Sequence, residues 1–384
     1  MKGKRTYKVL IFCSLLFSTT AAYSQDTINV ALPDGDTKNS YWKSLFHGNI
    51  DRTHEKRMDF SFISLPSWAR DASFGLGGMA AGLYRIDRTD SIMPPSDITA
   101  VFNASIIGHY TIGAKGNNYF RGNRSLLSYQ LDFSSKPLQF WGIGYDACSV
   151  NPAIDYTRNQ YLINANYQYN LLKNFYIGGF MDVTYTSVAK IDDISYLEGQ
   201  KKNYFVTGVG ISFVYDSRDF IPNATRGVYV LFRQTGYPSW MGNCNGTYWQ
   251  NTLIIDAYTR VWKGGILAAD LYRVHQPEKL PWPLKEQFGS NQRMRGYYPG
   301  RYMDNEVILT QIELRQHIVR RFGCAVWIGG GTVLPTLEDL AIEKTLPNYG
   351  IGLRWEFKHN LNVRVDYGFG KDTRGLVLNI GEAF

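Results

Sequence analysis

The chain has 384 residues, a net charge of +8 and an aromatic content of 15%. Lys2, Lys4, Arg5 and Lys8 carry half of that charge, so the remaining chain is only mildly basic and gives no support for nucleic-acid binding. The four cysteines have no CxxC spacing, which argues against a disulfide framework or a zinc site.

The N-terminus has the order of a secretory signal peptide. Basic residues precede an apolar run at 9–17, and small residues follow it up to a predicted cleavage site near Ser24. A membrane anchor helix needs roughly 20 apolar residues, so this run is too short to be one. We therefore predict a signal peptide at 1–24 and a polar periplasmic lead-in segment at 25–56, since a domain usually needs about 40 residues to fold unaided.

The remaining chain is rich in tyrosine and glycine, with 27 Tyr and 37 Gly, yet no stretch offers the 18 apolar residues of a spanning helix. Apolar and polar residues alternate at 127–133, at 161–170 and at 362–367. In a membrane barrel one face of each strand meets lipid and the other a wet interior. Several segments approach the roughly 10 residues of a membrane strand, which favours a barrel over a secreted soluble β-sandwich.

Sixteen strand-like segments follow one another, which predicts an all-β fold, a transmembrane antiparallel β-barrel at 57–384. The predicted segments are 57–66, 72–86, 97–114, 122–134, 138–147, 156–172, 174–188, 201–215, 226–239, 246–262, 264–275, 305–319, 321–334, 348–359, 360–370 and 373–384. Short turns at 172–173, 262–263, 320–321 and 359–360 alternate with long connections at 189–200, 276–304 and 335–347, as in bacterial barrels. The connection 87–96 is the exception, because it is long where a short periplasmic turn is expected.

Nothing in the sequence predicts catalysis. The six histidines are scattered without metal-ligand spacing, and no GxSxG motif occurs. A glycine-rich stretch at 75–80 only half resembles a phosphate loop. We therefore expect no enzyme activity, no cofactor and no metal site.

The segment Met294, Arg295, Gly296 and Tyr297 resembles the inward-folded loop motif of the bacterial surface antigen family, to which BamA and TamA belong. The strand count places this loop between strands 11 and 12, where the family has it. An arginine in a polar lumen needs a carboxylate partner, because a buried unpaired charge is costly.

The inward face of the twelfth predicted strand supplies Glu313 as the expected partner of Arg295. In the family a second acidic residue usually comes from the next strand. Here Gly329 stands at that position, so the sequence predicts a weaker clamp with one carboxylate.

A second pattern also resembles the family: the turn between strands 8 and 9, with Asp216, Arg218, Asp219, Pro222 and Gly227. The C-terminal strand supplies a third. It is expected to place Leu376, Leu378, Ile380 and Phe384 on one face, with Ile380 and Phe384 as the C-terminal signal of machine-inserted barrels. The resemblance covers about 60–384.

The resemblance implies a multi-pass barrel in the outer membrane of a Gram-negative bacterium that assists insertion or translocation of outer-membrane or surface proteins. The family mechanism opens a weak seam between the first strand, 57–66, and the last, 373–384, so that an edge templates an incoming strand. The segment 25–56 is too short for a POTRA domain. The alternative is a passive channel or structural barrel that keeps the fold without insertase activity, and a soluble adhesin is a third class. Outer-membrane lipids are the implied surroundings, with lipoproteins or other barrel proteins as candidate partners.

Overall fold

The computed structural model describes residues 57–384 apart from 70, 91–92, 243–244 and 359–360. The signal peptide and lead-in segment predicted for 1–24 and 25–56 lie outside this part. The described chain forms one 16-stranded antiparallel sheet in which spatial order follows sequence order. This confirms the predicted all-β, sixteen-stranded barrel architecture. Within the described residues, no helix is long and apolar enough to cross a bilayer.

The strands differ widely in length. They are β1 (Asp59–Ala69), β2 (Ser73–Tyr84), β3 (Ser96–Ser105), β4 (Tyr110–Tyr119), β5 (Ser125–Phe140), β6 (Ile154–Leu172), β7 (Phe175–Ile191), β8 (Asn203–Asp216), β9 (Gly227–Tyr237), β10 (Tyr248–Trp262), β11 (Gly265–His275), β12 (Glu306–Val319), β13 (Phe322–Leu334), β14 (Leu346–Lys358), β15 (Leu361–Gly370) and β16 (Thr373–Ile380). A six-residue helix, α1 (Tyr145–Val150), lies between β5 and β6.

Tight turns follow β6, β10 and β12 at one end of the sheet, which we call the short-turn end, although the connections 85–95 and 217–226 at this end are longer. Asn174 and Gly264 follow β6 and β10, and Arg320 follows β12; all three have positive φ, of 64°, 76° and 53°. The predicted turn 359–360 lies outside the described residues. The opposite, long-loop end carries connections such as 276–305 and 335–345. In bacterial barrels short turns face the periplasm and long loops face outward.

Alternation along the strands separates a lipid face from a lumen face. On β6, Tyr161 and Tyr167 are 53% and 47% exposed, whereas Asn166 and Gln168 are each 2% exposed. Polar side chains therefore point into the sheet's concave interior and aromatic ones point outward, as a barrel in a bilayer requires.

Two strand assignments from the sequence were wrong in a compensating way. The predicted segment 97–114 is two strands, because the chain turns at Gly108 with a φ of +85°. The predicted segment 122–134 and the first residues of 138–147 form one strand, β5, in which Pro137 pairs with Thr157 of β6, whereas residues 145–147 begin the helix α1. Proline is rare inside a paired strand, because it cannot donate to the ladder.

The barrel wall has uneven height. β5, β6 and β7 have 16, 19 and 17 residues, whereas β16 has 8 and β15, β3 and β4 have 10 each. The four shortest strands therefore lie within four strands of the seam between β1 and β16, and the three longest follow directly after β4.

The first and last strands come together without an observed ladder. Every consecutive pair from β1–β2 to β15–β16 is joined in antiparallel register, and Cα atoms of β1 and β16 approach within 8 Å. Among the described residues, no register of paired residues links β16 to β1. We call this place the seam.

The end of the chain departs from the prediction. β16 stops at Ile380, and Gly381 has a φ of +84° that turns the chain away from the strand. Leu376 and Leu378 stay on the lipid face, each 38% exposed, but Phe384 is buried against Ala224, Tyr258 and Ala268. The expectation that Phe384 continues the outward row was therefore wrong, because a left-handed glycine reverses the face; the side chain of Ile380 lies outside the described part. We call residues 381–384 the tail.

Candidate functional site

The connection 276–305 between β11 and β12 folds back into the barrel. Met294 and Gly296 have φ values of 52° and +99°, which bend the backbone sharply on either side of Arg295. At Gly296 a Cβ atom would lie 2.5 Å from the main-chain oxygen of Gly368 on β15. Gly296 and Gly368 thus let the loop backbone contact the wall. The loop passes through the lumen, and Arg295 is fully buried. We call this connection the inward loop.

The guanidinium of Arg295 bridges two strands of the wall. Its Nη2 lies 2.6 Å from Oε2 of Glu313 on β12, and its Nη1 lies 2.8 Å from Oδ2 of Asp366 on β15. The guanidinium carbon also lies 3.5 Å from the ring centre of Trp327 on β13. All three contacts are made by one side chain of 0% exposure, so the loop is clamped by charge and by stacking.

The clamp has two carboxylates, which corrects the expectation of one. Gly329 on β13 supplies no acid, as the sequence shows, and a Cβ there would meet the main-chain oxygen of Thr310 at 2.4 Å. The second carboxylate comes from Asp366 instead. The sheet curves so that β15 faces the loop directly. An expectation based only on β13, the strand next to β12, could not identify Asp366.

A second arginine holds the inward loop to the neighbouring strand β11. Arg293 donates from Nη2 to Oδ1 of Asp270 on β11 at 2.7 Å and from Nε to Oδ2 at 2.9 Å. Its guanidinium lies 4.5 Å from the ring centre of Tyr272. Because β11 is hydrogen-bonded to β12, Arg293 and Arg295 together hold the loop against one arc of the wall that runs from β11 to β15.

The clamp continues into a ring of alternating charges that reaches the tail. Glu313 accepts from Nε of Arg315 at 2.7 Å, and Arg315 lies 3.6 Å from Glu382. Glu382 accepts from Nε of Arg354 at 2.8 Å, and Arg354 donates in turn to Asp366. Since Arg295 joins Glu313 to Asp366, the loop, three wall strands and the tail share one closed circuit of ion pairs.

The tail has further contacts in the lumen. Arg315 donates from Nη2 to the main-chain oxygen of Phe384 at 3.0 Å, and Asn362 donates to Glu382 at 2.6 Å. The Phe384 ring lies 6.3 Å from the ring of Tyr258 on β10. The tail therefore crosses from β16 toward the β10–β11 wall at the short-turn end.

The two ends of the Met294–Tyr297 motif pack at the long-loop end. Met294 and Tyr297 are 2% exposed and belong to an apolar cluster with Phe288 and Tyr302. The Tyr297 hydroxyl donates to the main-chain oxygen of Pro347 at 2.8 Å. Burial raises the pKa of Tyr297 above its ordinary value, so this hydroxyl stays protonated as a donor.

The predicted turn motif connects β8 to β9 at the short-turn end. Arg218 forms a bidentate pair with Asp216, at 3.0 and 2.7 Å, and stacks on Tyr229 at 4.3 Å. Oδ1 of Asp219 accepts from the backbone N–H of Thr225 at 2.8 Å. Gly227 has a φ of +113° and begins β9. The side chain of Pro222 lies outside the described part.

Sequence reasoning missed six charged residues of the site. Asp270, Arg354, Arg364 and Asp366 occupy lumen-facing positions of the strands, Glu382 lies in the tail, and Arg293 lies two residues before the motif arginine. The alternation at 362–367 already places Arg364 and Asp366 on the polar face, so the sequence could have identified them as candidates. Their pairing could not be identified, because it depends on how strands far apart in sequence curve around the loop.

The arrangement fixes the inward loop through buried ion pairs. In the part of the chain that the structure describes, no group of three or more His, Cys, Asp or Glu residues is placed to hold a metal ion. The acidic residues at the clamp are each engaged by arginines. The site therefore acts by holding the loop and the tail in position.

Comparisons with solved structures identify the same fold. The chain is similar to BamA from Haemophilus ducreyi lacking POTRA domains 1–3, with a TM-score of 0.56 at 10% identity, over 82% of this chain and 66% of that one. It is similar to CdiB from Escherichia coli, with a TM-score of 0.58 at 12% identity over 85% and 62%. For CdiB from Acinetobacter baumannii the TM-score is 0.55 at 12% identity, over 85% and 60%. The chain thus spans about two thirds or less of these proteins.

No curated protein matches the sequence. The family model of the Omp85 superfamily domain matches residues 114–384, which is well over half of the chain and includes the inward loop, the clamp and the tail. The predicted resemblance to BamA-like and TamA-like barrels and the outer-membrane location are thereby confirmed. The chain belongs to the Omp85 superfamily of Gram-negative outer-membrane barrels.

Proposed function

We propose that this barrel assists the insertion or translocation of outer-membrane or surface proteins through the seam between β1 and β16. The observation that carries the proposal is the contrast between the seam and the rest of the wall. Fifteen neighbouring strand pairs are joined in a defined antiparallel register, whereas the described residues of β1 and β16 approach each other without one. An unpaired edge is a template for another strand.

Wall height supports the same function. The strands next to the seam, β16 and β15, have 8 and 10 residues, compared with 19 in β6. A wall with less apolar height forces the adjacent bilayer to thin or deform, at a modest free-energy cost per ångström of mismatch. A deformed bilayer lowers the free-energy barrier to membrane insertion of an incoming strand. The deformation is largest next to the short strands, where the edge is unpaired.

The inward turn of the tail also supports seam opening. Gly381 directs residues 382–384 into the lumen, so the last strand does not continue along the edge of β1 beyond Ile380. The ring of ion pairs then fixes the end of β16 to the wall from inside. This arrangement shortens the edge that β16 presents to β1 while it keeps β16 attached to β15.

The passive channel is the second candidate, and the lumen contents weigh against it. The inward loop crosses the bore, and the tail lies at the short-turn end. An apolar cluster that includes Phe140, Tyr156 and Trp282 closes part of the long-loop end. An open pore requires a continuous wet path, whereas these contacts fill the lumen at three levels.

Depletion of the protein in its native host tests the proposal. We expect broad loss of other barrels from the outer membrane, measured by quantitative proteomics of purified outer membranes. Re-expression of the wild-type chain should restore them. An unchanged membrane proteome accompanied by altered leak of small solutes would instead support the channel.

A further inference from the structure

Three side chains stand in one row on the inner wall near the long-loop end. Lys136 of β5 pairs in register with Arg158 of β6. Tyr110, the first residue of β4, pairs with Ser135, so His109 one position earlier is level with Lys136. Neighbours in such a row have Cβ atoms about 4.5–5.5 Å apart. Two cations and one imidazole therefore adjoin each other.

All three side chains face the lumen. Leu138 and Tyr156 belong to a buried apolar cluster, and Lys136 and Arg158 lie two residues from them on the same strand faces. His109 is 9% exposed, whereas the next residue, Tyr110, is 47% exposed on the lipid face. The row is thus part of the inner wall and is not a solvated outer surface.

In the part of the chain that the structure describes, Asp71 and Asp132 act on the charge of Lys136 through space, but neither forms an ion pair with it. No ion pair or hydrogen bond is found there for the side chain of Lys136 or of Arg158, and Nε of Arg158 is buried without a partner. Nδ1 of His109 is likewise buried without a partner, while Nε2 lies 3.5 Å from Oγ1 of Thr111. Three nitrogen-bearing groups therefore converge with unused hydrogen-bonding capacity.

Such a row is unfavourable when it is empty. Like charges directly opposite each other on a sheet destabilise it, and a buried donor without an acceptor adds a further cost. Burial and the nearby charges of Lys136 and Arg158 lower the pKa of His109 to about 4, against the opposing effect of Asp71 in the β1–β2 turn. The imidazole is therefore neutral at pH 7. An anion in the row would remove the repulsion and satisfy the free nitrogens.

We propose that His109, Lys136 and Arg158 form a binding site for a phosphate group. A phosphate monoester carries close to two negative charges and three strong acceptor oxygens, which match two cations and an imidazole. The row faces the lumen level with the β3–β4 turn, at the rim of the wall formed by β3 and β4, so a lipid headgroup reaches it only over that rim. A lipid headgroup and a free phosphate share this chemistry, and both can reach the rim.

The test uses the full mature chain in detergent micelles, titrated with inorganic phosphate by calorimetry. We expect one saturable site whose affinity falls at least about tenfold in the double variant Lys136→Gln/Arg158→Gln, since each charged hydrogen bond contributes strongly. The matched control is Lys190→Gln/Lys202→Gln, which removes two exposed charges at the same end of the barrel and should keep wild-type affinity. Phosphate should also raise the pKa of His109 in a histidine NMR titration.

Folding is checked separately from binding. Without phosphate, Lys136→Gln/Arg158→Gln should be at least as thermally stable as the wild type, because the substitution removes a repulsion. Phosphate should raise the melting temperature of the wild type and of the control pair only. A double variant that binds phosphate as tightly as the wild type would overturn the site.

The source of the phosphate is distinguished in nanodiscs. Discs that contain phosphatidic acid, a phosphate monoester lipid, are compared with discs of phosphatidylcholine alone, and the pKa of His109 is the readout. A rise with phosphatidic acid and with inorganic phosphate supports a site open to both sources, and a rise with phosphatidic acid alone assigns it to a headgroup. No change with either probe would overturn the proposal.

Discussion

Nε of Arg354 donates to Oε2 of Glu382 across 2.8 Å, and this contact ties the tail after β16 to the wall strand β14. Arg354 also donates to Asp366, which binds Arg295 of the inward loop. Two residues that lie 28 positions apart thereby connect the end of the seam strand to the loop that fills the lumen. The account predicts that disturbing either end of this circuit affects the other.

Glu382→Gln removes the carboxylate that links Arg315 to Arg354. Breaking a buried ion pair leaves uncompensated charge, so we expect a loss of about 3–5 kcal/mol in the free energy of unfolding. Denaturant titration in detergent measures it. The control Glu338→Gln changes an exposed loop residue and should stay within about 0.5 kcal/mol of the wild type. Equal effects for the two variants would mean that the tail is not held by charge.

Arg295 and Asp366 should be energetically coupled. We expect the variants Arg295→Gln and Asp366→Asn, made singly and together, to yield a favourable coupling free energy of about 1–3 kcal/mol, because the pair is buried and in direct contact. Unfolding titrations of all four proteins provide the cycle. If the losses in unfolding free energy of the two single variants simply add up in the double variant, the direct contact between Arg295 and Asp366 is contradicted.

Gly296→Ala tests the close approach of the loop to β15. Alanine would adopt an unfavourable left-handed conformation, which costs about 1–2 kcal/mol, and its Cβ would also meet Gly368 at 2.5 Å. Gly300→Ala is the matched control, because Gly300 has a φ of +81° but its nearest neighbour is the flexible amide of Gln287 at 3.3 Å. We expect proteolysis to cut the loop of folded Gly296→Ala faster than that of Gly300→Ala. Equal cleavage rates for Gly296→Ala and Gly300→Ala would show that the close approach to Gly368 does not limit the residue at position 296.

Lys285 makes the stability of the inward loop depend on pH. Burial lowers its pKa from 10.5 to about 8 in the folded chain. The unfolded chain therefore binds more protons between about pH 8 and 10.5, and the stability of the wild type should rise across that window. Below pH 8 the cost of the buried ammonium is present in full. Unfolding of Lys285→Gln should lack this rise, and a parallel pH profile for both proteins would refute the assignment.

The barrel was predictable because its signal repeats in many strands. Alternation identifies the lipid and lumen faces wherever a strand is regular, as in β6 and β15, and tight turns such as the one at Lys263 mark the ends. Alternation fails where backbone geometry overrides it: Pro137 lies inside a paired strand, and the turn at Gly108 is hidden in an apolar stretch. The inward turn of the tail was missed for the same reason, since a pattern of polarity does not show the left-handed conformation of Gly381.

The clamp was half predictable. Arg295 was identified because it belongs to a recognisable motif, and Glu313 because alternation within one strand places it on the inward face. Asp366 and Glu382 were not: Asp366 reaches Arg295 from β15, three strands beyond β12, and Glu382 reaches Arg354 from the tail, which turns inward at Gly381. Local sequence patterns describe single strands and turns, whereas a ring of charges depends on how the strands curve together around the lumen.

Locking the seam tests the central proposal most directly. One cysteine is introduced in β1 and one in β16, in a background without native cysteines, and the pair that crosslinks on oxidation is selected. The purified barrel is reconstituted in liposomes, and the folding rate of a denatured outer-membrane barrel added to them is measured by gel shift. The account predicts acceleration by the reduced protein, loss of acceleration after crosslinking and recovery on reduction. Equal acceleration by the locked and the reduced barrel would contradict it.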